Sequence, residues 1–281
     1  LEMNSPQIDP HWPHLVAEFS RALSVEGRKQ LGLFSIEGFR LLERALATST
    51  PLAHVLISQS QYADPQPRFR KLLDQLTAIS QTVSCIPDEA MEKLIENRTL
   101  GSILALAQIP PSPDLPLLLA QWAKQPQRRK ILVLEDMVDP GNVGALVRTS
   151  HALHVDLFIT LRGADPFHPR SARTSMGSIF RIPILRHEST DALLQTLRDH
   201  QVFTIGATSE ATTLLPNASF PNKTMALFIG HEGKGLSQPL RQGLDLSVAI
   251  PMTSSIDSFS VNAATAVILY AMNYPSSLNE S

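Results

Sequence analysis

The chain has 281 residues, of which 43% are hydrophobic, and a formal net charge of −2 at pH 7. Its length and apolar content suffice for one or two domains with buried cores, and its near-neutral charge excludes a uniformly basic nucleic-acid binder. No apolar run approaches the roughly 20 residues that span a bilayer, and the N-terminus shows no export signal, so we expect a cytoplasmic protein without a membrane partner.

The charged residues are unevenly distributed along the chain. Residues 126–187 carry nine Lys and Arg against five Asp and Glu, whereas residues 1–125 carry 11 against 13 and residues 188–281 carry four against eight. Only the middle block is basic. This asymmetry favours an anionic ligand or a polyanion docking near that block.

Residues 14–111 are predicted to form a first, smaller α/β domain. Helical periodicity runs from Pro13 to about Leu33 and again through residues 35–49, SIEGFRLLERALATS. Three strands are then predicted in AHVLIS, TVSCIP and ILALAQI, and two helices in FRKLLDQLTAIS and DEAMEKLIEN. The proline-rich segment 112–127, which ends in a basic cluster, is predicted to be a linker.

Residues 128–275 are predicted to form a second α/β domain with a mostly parallel sheet. Strand-like runs separated by helical stretches occur in KILVLEDM, VDLFITL, IPILR, VFTIGAT, TMALFIG and DLSVAIPM. In such sheets ligands bind beyond the carboxyl ends of the strands, so the residues that follow each run are candidates for the site.

The first such stretch is DPGNVGALVRTS, residues 139–150. It lacks the lysine of a phosphate-binding P-loop and the glycine spacing of a dinucleotide fingerprint, which excludes a nucleotide-dependent oxidoreductase on a doubly wound fold. We predict a helix start with Asn142 as its N-cap and Arg148 reaching back over Gly144, so that helix end and guanidinium converge on one phosphate-like anion. The alternative is an arginine on a solvated face and an asparagine that only caps.

Two further stretches carry polar or glycine residues after a strand. FIGHEGKGLS, residues 228–237, places three glycines in a turn that brings backbone close to a ligand, or simply turns before a helix. In residues 248–272, a Ser/Thr-rich loop leads into an apolar helix predicted to start near Ser258. The polar residues Ser260 and Asn262 then lie in its first turn, where we expect Asn262 to hydrogen-bond across that turn and stiffen the loop.

Taken in this order, the three stretches resemble the conserved motifs of the SpoU (TrmH-type) RNA ribose 2′-O-methyltransferases of the SPOUT superfamily. Residues 164–184, ADPFHPRSARTSMGSIFRIPI, are similar to the family's segment between the first two motifs. Segments of the first domain are similar to the family's ribosomal-protein-like substrate-binding module, so the resemblance covers nearly the whole chain beyond residue 14. It implies a C-terminal parallel-sheet SPOUT domain with a trefoil knot, homodimerisation through that domain, and a preceding α/β RNA-binding domain.

The resemblance also implies roles for individual residues. The catalytic set comprises Arg148, Asn142, Glu232, Ser260 and Asn262, and S-adenosylmethionine is the cofactor, contacted by Thr208, Gly230, Gly235, Ile250, Met252 and Phe259. Because a guanidinium does not release its proton near neutral pH, we expect an electrostatic role for the arginine, with the proton of the 2′-hydroxyl passing to phosphate, Glu232 or water. The single cysteine and the spacing of the histidines do not indicate a metal site, so none is expected.

The resemblance implies RNA as the substrate, and the first domain favours ribosomal RNA over transfer RNA. Two alternatives stay open, a tRNA 2′-O-methyltransferase and an RNA-binding protein that has lost catalysis. The second alternative rests on residues 260–262, which read Ser-Val-Asn where family members usually read Asn-Val-Ser.

Overall fold

The computed structural model describes residues 7–63, 66–79, 81–95, 103–125, 127–253 and 258–274. The chain forms two compact units. One comprises the described residues up to Pro110 together with Phe167–Phe180, and the other comprises Pro111–Pro166 and the described residues from Arg181 onward. None of the helices in these ranges is long and apolar enough to cross a lipid bilayer.

The first unit is built on a four-stranded mixed sheet. Its strands β1 (Leu33–Glu37), β2 (Leu52–Ser58), β3 (Val83–Ile86) and β4 (Ile103–Gln108) lie in the order β1-β4-β2-β3. Strand β4 pairs antiparallel with β1 and β2, and β2 pairs parallel with β3. The helices are α1 (Trp12–Ala22), α2 (Val25–Leu31), α3 (Phe39–Ala47), α4 (Gln59–Ala63), α5 (Pro67–Ala78), α6 (Asp88–Leu94) and, from the middle of the chain, α9 (Pro169–Thr174).

Strand β1 was not predicted, because its residues lie where two helices were expected. Helix α2 ends at Leu31, Gly32 adopts a left-handed φ of 66°, and Leu33–Glu37 then pairs along its whole length with β4. Pairing with a distant strand thus overrides the local helical pattern of SIEG, and the second predicted helix begins only at Phe39.

The middle segment Phe167–Phe180 is held in the first unit by aromatic and ionic contacts. The ring of Phe34 lies 5.1 Å from that of Phe167 and 6.1 Å from that of Phe180. The guanidinium of Arg173 donates to the buried carboxylate of Glu37 at 3.3 Å. Residues far apart in sequence therefore share one core.

The second unit is built on a seven-stranded parallel sheet. Its strands lie in the order β7-β6-β5-β10-β8-β11-β9, and every recorded pairing is parallel. They are β5 (Lys130–Glu135), β6 (Leu157–Leu161), β7 (Ile184–His187), β8 (Phe203–Ala207), β9 (Thr213–Leu214), β10 (Met225–Ile229) and β11 (Leu246–Ala249). All six predicted strands are confirmed, and the short β9 is additional.

Helices cover the sheet of the second unit, and its central strands are buried throughout. The helices are α7 (Leu115–Ala123), α8 (Pro140–Ala152), α10 (Thr190–Asp199), α11 (Gln238–Gly243) and α12 (Val261–Asn273), and α8 packs against α12. Every residue of β5, β6 and β10 is buried, which accounts for their continuous apolar sequences.

Helix α7 lies inside the segment predicted as a linker. Asp114 caps it by accepting from the amide of Leu117 at 2.9 Å, and Leu115, Leu119 and Trp122 belong to the core of the second unit. The linker prediction is wrong over these residues. Three prolines before the helix and the basic cluster after it are typical of a linker, whereas the short segment between them forms a helix with a buried face.

Candidate active site

A cavity of about 630 Å³ opens at the carboxyl ends of β8, β10 and β11 in the second unit. Its wall combines apolar side chains with a few polar ones, among them Thr208, Glu210 and Arg241. This size and lining are typical of sites for small organic ligands. The cavity lies where ligands bind in parallel sheets, beyond the ends of the strands.

All six residues expected to contact a cofactor lie in the wall of this cavity. Each follows the end of a strand or precedes α12, and they come from four separate stretches of chain: Thr208, Gly230, Gly235, Ile250, Met252 and Phe259. The amide of Thr208 donates to the carbonyl of Val248 at 3.1 Å, which joins two of these stretches.

The glycine-rich turn after β10 forms one side of the cavity. The amide of Gly235 donates to the carbonyl of His231 at 2.7 Å, and Gly235 has a left-handed φ of 64°. A β-carbon on Gly230 would overlap the backbone of Gly235 and Leu236. The turn is therefore closed tightly on itself, and its two ends require glycine.

A buried carboxylate that the sequence analysis did not single out anchors this turn. Glu135, the last residue of β5, is 1% exposed and accepts from the amide of Ser237 at 2.7 Å and from the guanidinium of Arg162 at 3.0 Å. Arg162 also donates to Asp136 at 2.9 Å and thereby lowers the pKa of that carboxyl below its ordinary value. The sequence feature that could have indicated this role is the pair of acidic residues, Glu135 and Asp136, at the carboxyl end of a buried strand.

Helix α8 begins earlier than predicted and has a different cap. Its N-cap is Asp139, whose carboxylate accepts from the amide of Asn142 at 3.2 Å, so Asn142 lies in the first turn. The side chain of Asn142 instead donates to the carboxylate of Glu232 in the glycine-rich turn. The N-cap prediction for Asn142 is wrong, because an aspartate three residues earlier takes the cap and the amide side chain is free to point away.

Arg148 is exposed on α8 and makes no hydrogen bond or ion pair with the described part of the chain. It lies about two turns past the start of the helix, and that start is already capped by the Asp139 carboxylate. The convergence of the helix end and the guanidinium on one anion stays a prediction. The described residues show a guanidinium without a partner among them, on the helix that also presents Asn142.

Helix α12 begins at Val261, with Ser260 as its N-cap, rather than near Ser258. The hydroxyl of Ser260 accepts from the amide of Ala263 at 3.3 Å. Asn262 does not bond across its own turn as expected. Its side-chain oxygen accepts from the hydroxyl of Thr149 at 2.7 Å, and Thr149 follows Arg148 on α8.

Two side-chain hydrogen bonds therefore join α8 to the surroundings of the cavity. Asn142 reaches Glu232, which lies in the cavity wall, and Thr149 reaches Asn262, two residues after the wall residue Ser260. Arg148 lies between these two attachment points in sequence. The described residues contain no group of three or more His, Cys, Asp or Glu placed to hold a metal ion.

Comparison with known proteins extends these observations. The model of the SpoU rRNA Methylase family matches residues 129–270. A tRNA/rRNA methyltransferase of Synechocystis, itself uncharacterised, is 30% identical over 91% of this chain and 89% of its own. The 23S rRNA (guanosine(2553)-2′-O)-methyltransferase RlmP of Bacillus subtilis is 25% identical over 94% of this chain and 98% of its own.

The fold is also that of a solved relative. An AdoMet-bound rRNA methyltransferase from Sinorhizobium meliloti superposes with a TM-score of 0.79 at 20% identity, covering 96% of this chain and 97% of that one. The similarity extends over both units, and the family model covers the parallel sheet, the glycine-rich turn and most of α12. The chain belongs to the SpoU rRNA Methylase family.

Proposed function

We propose that the protein transfers a methyl group from S-adenosylmethionine to a ribose 2′-hydroxyl of ribosomal RNA. As a member of the SpoU family it is an S-adenosylmethionine-dependent RNA methyltransferase. The observation that supports the finer assignment is a ligand-sized cavity beside helix α8, whose exposed Arg148 has no partner among the described residues. RlmP, similar over nearly its full length, is named for 2′-O-methylation of a guanosine in 23S rRNA.

The residues of the cavity fit S-adenosylmethionine. Val248, Ile250 and Phe259 supply apolar surface for a purine ring. Glu210 and Arg241, which form an ion pair with each other at 2.8 Å, supply both charges for the amino-acid end. At Gly230 the backbone has no side chain between it and the cavity. When bound, the cofactor supplies an electrophilic methyl group on a sulfonium.

Arg148 would act on the RNA rather than on the cofactor. A ribose 2′-hydroxyl is a poor nucleophile, so its attack depends on stabilising negative charge on the oxygen and on fixed placement. A guanidinium stays protonated and matches a phosphate with two parallel donors, so Arg148 would hold the phosphate beside the target ribose and stabilise the developing alkoxide. Glu232, whose carboxylate accepts from Asn142, would take the proton.

The first unit is proposed to select the RNA. Its sheet and helices contain none of the residues that line the cavity or that form the Arg148 helix. Binding by this unit would supply affinity and choice of site without taking part in the chemistry.

The second unit is proposed to form a homodimer through α12. Three large apolar side chains are exposed on this helix and at its end, Val267 at 41%, Tyr270 at 59% and Tyr274 at 62%. Their spacing places them along one stripe, and the ring centroids of Tyr270 and Tyr274 lie 4.9 Å apart, with the rings tilted by 44°. A contiguous exposed apolar stripe is the usual mark of an interface.

Mapping of 2′-O-methylated positions in total RNA tests this function directly. RNA from cells with and without the gene is compared, and the purified protein is then given S-adenosylmethionine and unmodified RNA. One ribosomal position should lose its methyl group in the deletion strain and regain it in vitro. A lost position in transfer RNA would replace the substrate, and binding of cofactor and RNA without any transfer would identify a binding protein that has lost catalysis.

A further inference from the structure

A second cavity lies at the amino ends of the central strands of the parallel sheet, whereas the proposed cofactor cavity lies at the carboxyl ends. Its volume is about 400 Å³, and its wall comes from the start of β5, the end of α8 and the end of α12: Gln127, Arg128, Arg129, Lys130, His154, Asp156, Met272 and Asn273. Three consecutive cations therefore face a cavity whose wall contains one carboxylate. None of these residues has a part in the site described above.

The single carboxylate, that of Asp156, already accepts two hydrogen bonds. Asp156 accepts from the guanidinium of Arg129 at 2.8 Å and from the backbone amide of Lys130 at 2.8 Å. Arg129 is further held by Gln125 at 2.9 Å and lies over the ring of Trp122. Arg129 and Asp156 thus form an ion pair, and the other two cations have no ion pair among the described residues.

Lys130 is buried, at 6% exposure, and its ammonium donates to neutral acceptors. These are the carbonyl of Leu153 at 2.6 Å and the side-chain oxygen of Asn273. Burial lowers the pKa of Lys130, Asp156 opposes that shift, and the positive charge of Arg128 adds to it. The ammonium and the Arg128 guanidinium therefore repel each other across the cavity.

Arg128 is the cation of this cavity that has no counter-charge in the described part of the chain. It is half-buried, its Nε atom is buried without a hydrogen-bond partner among the described residues, and its Nη2 contacts only the sulfur of Met225, at 3.6 Å. Burial lowers its pKa, and no carboxylate of the described chain compensates its charge. A partly buried charge without a counter-charge costs stability, so its presence indicates a ligand that supplies the missing negative charge.

We propose that this cavity binds a phosphodiester group of the RNA, with Arg128 as the principal contact and His154 and Gln127 as further hydrogen-bonding groups. The assignment rests on the proposed RNA substrate. The two cavities lie at opposite ends of the strands of one parallel sheet. One RNA would then be held at the amino ends of the strands while its target ribose lies at their carboxyl ends.

The test compares Arg128→Met with a matched control, Lys223→Met, which removes an exposed cation that lies near Arg128 in the structure but does not line the cavity. Binding of a labelled oligouridylate is measured as a function of salt concentration, without any requirement for methyl transfer. Arg128→Met should weaken binding roughly tenfold and reduce the slope of log affinity against log salt by about 0.7, the value for one lost phosphate contact on single-stranded RNA. Lys223→Met should leave the slope unchanged.

A second measurement separates ligand binding from a structural role. Because an unpaired buried charge is removed, Arg128→Met should melt at or above the wild-type temperature in the absence of RNA, and its S-adenosylmethionine affinity should be unchanged. A variant that melts well below wild type, or that binds oligouridylate like Lys223→Met, would show that Arg128 is structural and overturn the proposal. If inorganic phosphate stabilises the wild type alone while RNA binding is equal in both, the ligand is a free anion and the RNA assignment is wrong.

The failure of this proposal and that of the proposed function give different results. Methyl transfer to 23S rRNA at saturating RNA should proceed at the wild-type rate in Arg128→Met, since the cofactor cavity is untouched. Loss of RNA affinity in a protein that transfers no methyl group would support this cavity while rejecting the methyltransferase assignment.

Discussion

Arg148 is charged, exposed and without a partner in the described chain, so its removal leaves the fold intact. We predict that Arg148→Ala lowers methyl transfer by about 10²-fold or more, because the charge that stabilises the developing alkoxide is lost. Single-turnover methylation measures the rate, and calorimetry should find S-adenosylmethionine affinity within a few-fold of wild type.

The conservative variant Arg148→Lys is the matched control. A point charge cannot reproduce a planar fork across phosphate and ribose, so we expect this variant to fail as well. Near wild-type transfer by Arg148→Ala would remove the arginine from the mechanism. Transfer restored by lysine would reduce its role to simple charge.

The Ser-Val-Asn order of the third motif is accommodated by two separate bonds. Ser260 caps α12, and Asn262 accepts from Thr149 on α8. In the double change Ser260→Asn with Asn262→Ser, asparagine remains a good N-cap, whereas serine is shorter and loses reach toward Thr149. We predict a rate within roughly tenfold of wild type, about 1.4 kcal/mol of barrier, measured by single-turnover methylation.

Thr149→Val provides the control for this swap, because it removes the same bond from the other helix while keeping the side-chain shape. Its effect on the rate should be similar in size. If the natural protein binds S-adenosylmethionine and transfers nothing while the double variant transfers, the chain is a binding protein that has lost catalysis.

At the scale of elements, the glycine-rich turn forms one side of the proposed cofactor cavity. A β-carbon at Gly230 would overlap the backbone of Gly235, whereas one at Gly233 would meet only the ring of His231, at 3.8 Å. We predict that Gly230→Ala opens the turn and weakens S-adenosylmethionine binding by more than tenfold. Gly233→Ala should bind within a few-fold of wild type, and calorimetry compares the two. Equal affinities would show that the closed turn is not needed for the cofactor.

The boundary of the second unit can be tested at the scale of the whole molecule. A variant that begins at Pro111 keeps α7, and one that begins at Arg128 loses Leu115, Leu119 and Trp122 from the core. Each buried side chain contributes roughly 1.5–3 kcal/mol, so the shorter variant should melt far below the longer one. Thermal melting with and without S-adenosylmethionine measures this.

The same pair of variants tests the division of labour between the units. The variant that begins at Pro111 should bind S-adenosylmethionine but methylate folded RNA poorly. It should also be less stable than the full chain, since Phe167 and Phe180 lose their contact with Phe34. Full activity at the same RNA position would contradict the assignment of RNA selection to the first unit.

The proposed dimer is tested on the exposed stripe of α12. Tyr270→Arg places a charge in the stripe and should convert the protein to a monomer, as measured by light scattering after gel filtration. Leu117→Arg is the control, because Leu117 is equally exposed, at 59%, on α7 and away from the stripe. A monomeric wild type, or a dimer that survives Tyr270→Arg, would reject this interface.

Much of the second unit and of its cavity was determined by the sequence alone. Central parallel strands are buried on both faces, so their sequences are continuous apolar runs such as KILVLE. Six strands of the second unit could be predicted from such runs. Ligands of parallel sheets bind at the carboxyl ends of the strands, and the cavity lies there, whereas the six expected cofactor contacts in its wall were implied by the family resemblance. The trefoil knot stays a prediction from the family resemblance.

Only the tertiary structure decided the features that depend on distant partners. Strand β1 exists because β4 pairs with it, α7 is a core helix because β5 and its neighbours bury it, and Phe167–Phe180 joins the first unit through Phe34. The links from Asn142 to Glu232 and from Thr149 to Asn262 cross between elements far apart in sequence. The local sequence pattern indicates helix or strand propensity and periodicity. The features above depend instead on packing and side-chain hydrogen bonds between residues far apart in sequence.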